Sequence, residues 1–518
     1  ALGYRELNRS IPDSGTSFTW GARALGPRFG WLTGWGLIAS TIVVLASLAQ
    51  IAAVFLYETI DWIISSFGDS TWHVLSDLNT GNKLFNVVSV VALTIGATWF
   101  VYHDIQITAR FQYIMVAFQL VAVFIFAVVA IVKHNKGTGP DYGSDFSLDW
   151  LNPISVIQQP GFGSGALISG LTVAVFIYWG WDVVLTITEE TKNPQKTPGR
   201  AAALTIVLIT IYYLFISIAT IMFAGVGEQE LGLTGSKIQD GENVFAVLAV
   251  PVMGKGLAIL VFLAILSSSL ASLESTFVSP ARTMLAMGHY GGLGRGFAKT
   301  SKFATPGTAT LVAGGVAAGY YALMRPISDN VLSDTVDTTA IFICFYYGLT
   351  SFAAVWYFRK QWFASFRNFW FQLFFPLVGG LFLAFMFVHE LIGSMSPDYG
   401  SGSNVGGVGL VFILSAIILL LGVGLLIYNV TRRPDFFRKD TTSIPVGFAE
   451  SNGLDPHFHA LTDEAIDTAE AGHDFSLSHE EDGSAAAAGE SQAATTAVAV
   501  DDAAPQPAGE EAEDPSGE

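Results

Sequence analysis

Five consecutive residues put a glycine, three aromatic rings and a carboxylate inside a stretch that is otherwise apolar enough to cross a bilayer. From Gly165 to Arg200 the chain runs GALISGLTVAVFIYWGWDVVLTITEETKNPQKTPGR. About twenty predominantly apolar residues span a bilayer as a helix that rises about 1.5 Å per residue. Near the middle of this span stand Tyr178, Trp179, Gly180, Trp181 and Asp182, where an ordinary span would carry Leu or Val. A carboxylate at that depth costs about 2.5–3.5 kcal/mol on insertion scales, so its default role is functional. Glycine is a poor helix former, and an unwound backbone is tolerated in a bilayer only where it lines a cavity or is buried in protein. The plainer alternative is that Gly180 lets two helices cross closely and Asp182 is a hydrogen-bonded structural group. Residue types and spacing leave both open.

Two further spans carry polar candidates. In the run Leu266–Arg282, LSSSLASLESTFVSPAR, the serines suit back-bonding to their own carbonyls or small-residue packing. Glu274 is different: an ionisable group about fifteen residues from each end of its span, suited either to proton uptake or to a structural pairing. Gln119 is the one polar residue inside its span and suits a hydrogen bond across a helix interface. Other motifs fail. The glycine-rich run Gly291–Gly296 follows no strand and is no phosphate cradle, and the nine histidines are scattered without metal-ligand spacing. No basic-aromatic face suits nucleic acid, and no nucleophile–base pair suits an enzyme. No metal site and no cofactor are expected.

Stable placement of such residues needs helices in lipid, and the composition demands the same. Hydrophobic residues make up 51% of the 518 and charged ones 13%, about half the charge of a soluble protein. The chain is therefore expected to be an all-α polytopic membrane protein. Hydropathy predicts ten spans, at about 31–57, 85–102, 111–132, 166–188, 202–224, 255–288, 308–324, 338–358, 372–392 and 407–429. Residues 244–253 are apolar enough for a short re-entrant or surface helix. Residues 1–30 are too polar to span and are expected as a cytoplasmic stub ahead of a transmembrane core at 31–430. From Asp435 onward lie 20 acidic and two basic residues, so the tail carries the whole formal charge of −18. The segment 431–518 is expected to be a disordered acidic cytoplasmic tail. Alternate loops hold sixteen and six Lys/Arg residues, which places both chain ends in the cytoplasm of a multi-pass cell-membrane protein.

The stretch Phe176–Asp182, followed by EETKNPQKTPGRA, resembles the sixth helix and following loop of the amino acid–polyamine–organocation (APC) permease superfamily. Residues 1–15, ALGYRELNRSIPDSG, are similar to the end of that family's second helix and the loop after it. The resemblance implies a five-plus-five inverted-repeat fold that here lacks its first helix and most of its second, with the spans being helices three to twelve. It also implies that the missing part lies upstream of Ala1, where a Gly-x-Gly motif would supply half of the substrate site. The function implied is a secondary transporter of amino acids or related amines, working by alternating access with proton or sodium coupling or exchange. Phe176, Tyr178, Trp179, Gly180 and Trp181 would bind substrate, and Asp182 would couple gating to protonation. Glu274 and Gln119 are further coupling candidates, although Gln119 cannot titrate as the lysine that several family members carry near that place can. Expected partners are a small-molecule substrate and membrane lipid, with no nucleic acid. A different class stays open, a transporter-like solute sensor that signals through its acidic tail.

Overall fold

The computed structural model describes residues 1–67, 74–103, 105–152, 154, 164–191, 193–235, 244–303 and 305–438. These lie in the first of two compact units, Ala1–Thr468; the second, Ala469–Glu518, lies outside the described residues. Lys192 and Lys237, used in the charge count, also lie outside them, as does the acidic segment from Lys439 onward.

The chain is a helical membrane protein. Its helices are α1 (Leu2–Ser10), α2 (Ser17–Leu25), α3 (Pro27–Phe67), α4 (Val74–Gly81), α5 (Lys83–His103), α6 (Ile105–Asn135) and α7 (Ser164–Ile177). They continue with α8 (Thr197–Ala224), α9 (Val244–His289), α10 (Gly307–Ile327), α11 (Val331–Tyr357), α12 (Phe375–Gly393), α13 (Leu410–Arg432) and α14 (Pro434–Arg438). A two-residue hairpin, Asn404–Val405 against Val408–Gly409, precedes α13. Among the described residues, eight helices are long and apolar enough to cross a membrane: α3, α5, α6, α8, α9, α11, the run Phe366–Gly393 that ends in α12, and α13. The other two expected spans are present in altered form. The one expected at 166–188 is broken into α7 and a tight helical segment, Val183–Glu190, and α10 is diluted by glycines and tyrosines.

Local chemistry explains where boundaries differ from the hydropathy reading. The span expected at 31–57 runs on to Phe67 because Asp61 is paired where it sits. Its carboxylate accepts from Ser76 N and Ser76 Oγ, both at 2.7 Å, and from Leu75 N at 3.3 Å, so it caps the exposed amides at the start of α4. Residues 244–253 form a helix of their own, as expected, set off from the rest of α9 where Gly254 takes φ +74°. Lys133 Nζ donates to the carbonyl of Pro251 near its end at 2.9 Å. Its apolar face, Leu248, Ala249, Val252 and Met253, packs against Phe126 and Phe223. Before Pro376 the helix widens over Phe369–Phe374, because proline lacks an N–H and its ring crowds the carbonyl four residues back.

Two of the expected boundaries gain structure. Residues 1–30 form α1, α2 and the start of α3, and polar groups among them such as Asn8 and Asp13 are buried and partnered. The acidic segment was expected to begin at about Asp435, but Pro434–Arg438 is helical, and Phe436 and Phe437 are buried. Phe436 stacks on Phe18 at 5.7 Å. Averaged composition hides two aromatics at the head of the acidic segment. The apolar core forms three clusters, and the one that positions the site joins Tyr4, Leu7, Trp20, Leu185, Ile343 and Tyr346.

Removing one buried phenylalanine from α14 forfeits about 1.5–3 kcal/mol of burial. Phe436→Ala is therefore expected to lower the thermal midpoint of the detergent-solubilised protein, while ending the chain after Arg438 leaves it unchanged. An unaltered midpoint in the alanine variant refutes the packing role.

Candidate substrate site at a helix break

The helix α7 tightens and then stops. Tyr178 N bonds Ala174 O at 3.2 Å, and Trp179 N bonds Phe176 O at 2.9 Å. Gly180 then takes φ +94°, and no atom lies within 4 Å of where its Cβ would stand. Glycine is required here for backbone conformation, not for space. The chain restarts with Val183 N on Gly180 O at 3.2 Å and Leu185 N on Asp182 O at 2.9 Å. Among the described residues, no well-formed backbone hydrogen bond takes the N–H of Gly180 or Trp181 or the carbonyl of Trp179. Such groups are expensive to leave buried and unpaired, and a break in lipid that exposes them is tolerated where it faces a cavity.

Asp182 is 3% exposed and is fully paired by α11. Tyr347 donates to its Oδ1 at 2.7 Å, and Tyr346 donates to its Oδ2 at 3.2 Å. Trp179 Nε1 in turn donates to the Tyr346 hydroxyl at 2.8 Å, so both sides of Gly180 are tied to one pair of tyrosines. The ring of Tyr4 meets Trp20, Trp181 and Tyr347 edge-on at 5.2, 5.0 and 5.5 Å. Trp181 and Tyr347 lie 5.5 Å apart. Edge-to-face contacts of this kind add about 0.5–1.5 kcal/mol each beyond area burial.

Beside the break lies a cavity of about 290 Å³. Leu171, Ala174, Val175, Tyr178 and Trp181 line it from the broken span, Tyr347 and Ser351 from α11, and Phe382 and Leu383 from α12, with Ala1 and Tyr4 completing the wall. Of the residues expected to bind substrate, Tyr178 and Trp181 face the cavity and Gly180 makes the break. Phe176 and Trp179 are instead packed into the apolar cluster around Tyr346. Asp182 is behind Tyr347, outside the wall. Gln119 and Glu274 are not brought to this cavity; they sit on α6 and α9, and Gln119 Nε2 and Glu274 Oε2 are buried without a hydrogen-bond partner among the described residues. Sequence reasoning missed Tyr4, Tyr346, Tyr347 and Ser351. A Tyr-Tyr pair at the middle of an apolar span was the available signal for two of them.

The far end of the broken span is held by the N-terminal segment. Ser14 Oγ donates to Glu189 Oε2 at 3.0 Å, and Thr188 Oγ1 donates to Asn8 Oδ1 at 3.0 Å. Asn8 Nδ2 reaches the Pro194 carbonyl at 2.9 Å. Asp13 accepts from Gly15 N and Thr19 Oγ1, both at 2.7 Å, and from the hydroxyl of Tyr290 after α9. At the near end, Thr172 Oγ1 donates to Glu390 Oε1 of α12 at 2.6 Å. The loop residue Tyr399 donates to the other oxygen of Glu390.

A broken span, a cavity and tethers at both ends form a transport-like arrangement, and the family model described as amino acid permease matches residues 1–423. The chain belongs to the amino acid permease family. Similar proteins include the branched-chain amino acid permease BcaP of Lactococcus lactis subsp. cremoris, 22% identical over 43% of this chain and 45% of its own length. The human large neutral amino acids transporter small subunit 2 is 27% identical over 48% of this chain and 42% of its own length. The low-affinity putrescine importer PlaP of Escherichia coli K12 is 20% identical over 75% of this chain and 77% of its own length. This permease thus spans less than half the length of the first two of these relatives.

Because the space around Gly180 is open, a side chain there meets only the backbone penalty of an unfavourable positive φ, roughly 1–3 kcal/mol. Gly180→Ala and Gly180→Leu are expected to lower the thermal midpoint by similar amounts. A much larger loss for leucine in a thermal-shift assay counts against an open break.

Proposed function

We propose that this permease moves amino acids or related amines across the membrane by alternating access, as a secondary transporter with its spans arranged as a five-plus-five inverted repeat. The observation that carries the reading is the break at Gly180, flanked by Tyr178 and Trp181, which both line a cavity beside it. Donors at the break suit a substrate carboxylate and acceptors suit its ammonium. The relatives support the same class, since those cited are permeases, transporters or importers by name. The Lys/Arg bias of the loops supports a cytoplasmic location for both chain ends.

In this reading Asp182 couples gating to protonation through α11. As a carboxylate it accepts from both Tyr346 and Tyr347. A protonated carboxyl has one O–H donor and less accepting capacity, so taking up a proton weakens one of the two ties between the break and α11. The substrate path then opens or closes as that contact exchanges. Trp181 and Tyr178 close over the bound substrate, and Gln119 and Glu274 stay outside this step as secondary candidates for coupling. Uptake of labelled amino acids into proteoliposomes tests the transport reading, and absence of uptake for any amino acid or amine refutes it.

Asparagine keeps the shape of Asp182 but cannot titrate. Asp182→Asn is expected to fold and bind substrate while its uptake loses the pH dependence that the parent protein shows. If both proteins show the same profile, Asp182 is a structural group and the coupling role is refuted.

A further inference from the structure

One stretch away from the cavity combines exposed aromatic rings with fixed positive charge. Residues 356–375 run WYFRKQWFASFRNFWFQLFF, and eleven of the twenty are aromatic against 13% of the whole chain, a density that marks a membrane interface. Three are basic, Arg359, Lys360 and Arg367, and none is acidic. Both α11 and the run Phe366–Gly393 are long and apolar enough to cross a membrane, so the turn that joins them, 358–365, stands at a membrane surface. Its own hydrogen bonds shape it. Gln361 N bonds Phe358 O at 2.8 Å, Trp362 Nε1 donates to Val355 O at 3.0 Å, and Ser365 Oγ accepts from Asn368 N at 3.1 Å. Phe363 and Phe366 are 79% and 81% exposed, and Arg359 and Lys360 are exposed in the same turn. The Arg359 guanidinium lies 4.6 Å from the ring centre of Trp356 and donates to the Trp356 carbonyl at 2.9 Å. Arg367 is committed to Glu6 of α1 at 2.5 Å.

We propose that this turn is a binding site for the headgroup of an anionic phospholipid, with Arg359 and Lys360 on the phosphate and Phe363 and Phe366 among the first carbons of the acyl chains. Arginine presents a planar fork that matches phosphate oxygens two at a time. Stacking on Trp356 and the bond to its carbonyl hold that fork in place before a lipid arrives. Lys360, the next residue, adds a second charge without a fixed direction. Glu6, which reaches this stretch from α1, does not compete for them, being taken up by Arg367 and by Arg5 at 3.4 Å. A zwitterionic headgroup brings its own cation and cancels part of the attraction, whereas an anionic one keeps all of it. Basic loops and aromatic belts are general in membrane proteins. What is particular here is a pre-held arginine beside a lysine, set between exposed rings in a turn shaped by its own hydrogen bonds. The site also stands at the end of α11, whose Tyr346 and Tyr347 hold Asp182. A bound headgroup thereby anchors the helix that braces the break.

The test uses the purified full chain in neutral detergent, with phosphatidylglycerol or phosphatidylcholine of the same acyl chains added and retained lipid counted by native mass spectrometry. Phosphatidylglycerol is expected to bind about tenfold more tightly than phosphatidylcholine. Arg359→Gln combined with Lys360→Gln is expected to abolish that preference while binding of phosphatidylcholine and the thermal midpoint in its presence stay unchanged. Phe363→Ala combined with Phe366→Ala is expected to weaken both lipids by a similar factor and keep the preference. Should the double glutamine variant fail to fold, Arg359→Gln and Lys360→Gln are measured singly, each expected to cut the preference about threefold. Equal retention of the two lipids by the parent protein reduces the turn to an ordinary aromatic belt and overturns the proposal. A glutamine variant that keeps the full preference places the headgroup elsewhere and overturns it as well. Displacement of phosphatidylglycerol by an equal concentration of inorganic phosphate identifies a free-anion site and overturns the lipid assignment.

Discussion

A carboxylate buried at a helix break has to be paired, and in this permease the pairing decides which helix stands beside the break. A hydrogen bond to a charged group contributes about 1.5–3 kcal/mol, and leaving such a group buried and unpaired costs more. Both hydroxyls that satisfy Asp182 come from consecutive residues of α11, Tyr346 and Tyr347. Consecutive helical residues point about 100° apart, so rotating α11 by one position would carry one tyrosine into the other's place and leave Asp182 short of a donor. Trp179, on the other side of Gly180, donates to the same Tyr346 hydroxyl. The break is therefore braced on both flanks by a single neighbour, although Gly180 itself has open space around it.

Polar ties hold the rest of the broken span in the same manner. Its first half is held to α12 through Thr172 and Glu390, and its second half to the N-terminal segment through Glu189 with Ser14 and Thr188 with Asn8. In lipid, apolar packing discriminates weakly between helix arrangements, because the surrounding chains are as apolar as the helix faces. Directional hydrogen bonds between buried groups supply the discrimination instead. The outer ends of the two halves are thus tied to different elements, while both flanks of the break share Tyr346 of α11.

Much of this was legible from residue types, and the remainder was not for identifiable reasons. Ten apolar stretches predict ten helical elements, and each is found, because bilayer hydropathy is a long-window signal that local detail barely disturbs. The break at Gly180 was one of two readings that the residue types left open, the other being a close helix crossing, and its φ of +94° with open space around it favours the break. Where Asp182 finds its partners was not legible. Tyr346 and Tyr347 lie more than 160 residues away, and nothing in a helical period says which face of α11 meets α7. Phe176 and Trp179, half-buried against the cluster around Tyr346, do not line the cavity, and an aromatic flanking a break can fill either side of it. Averaged polarity hides packing: Asn8 and Asp13 in the polar first thirty residues are buried, and the acidic composition after Asp435 conceals the buried Phe436 and Phe437.

The commitment of Asp182 to α11 has a consequence for how a carrier can separate two tasks. A site carboxylate that contacts substrate responds to the charge of the substrate, so selectivity and proton coupling become one property. Here the carboxylate stands behind Tyr347, while Tyr347 itself faces the cavity. In the proposed cycle, substrate touches the ring and hydroxyl of Tyr347, and Asp182 responds only through that hydroxyl. The tyrosine can donate its proton to Asp182 or turn it toward the cavity, but not both at once. A substrate group that accepts from Tyr347 would therefore weaken the tie between the break and α11, just as protonation of Asp182 would. Two different events would act on one hydrogen bond, which is how a neutral substrate can be linked to a proton without carrying charge to the coupling site.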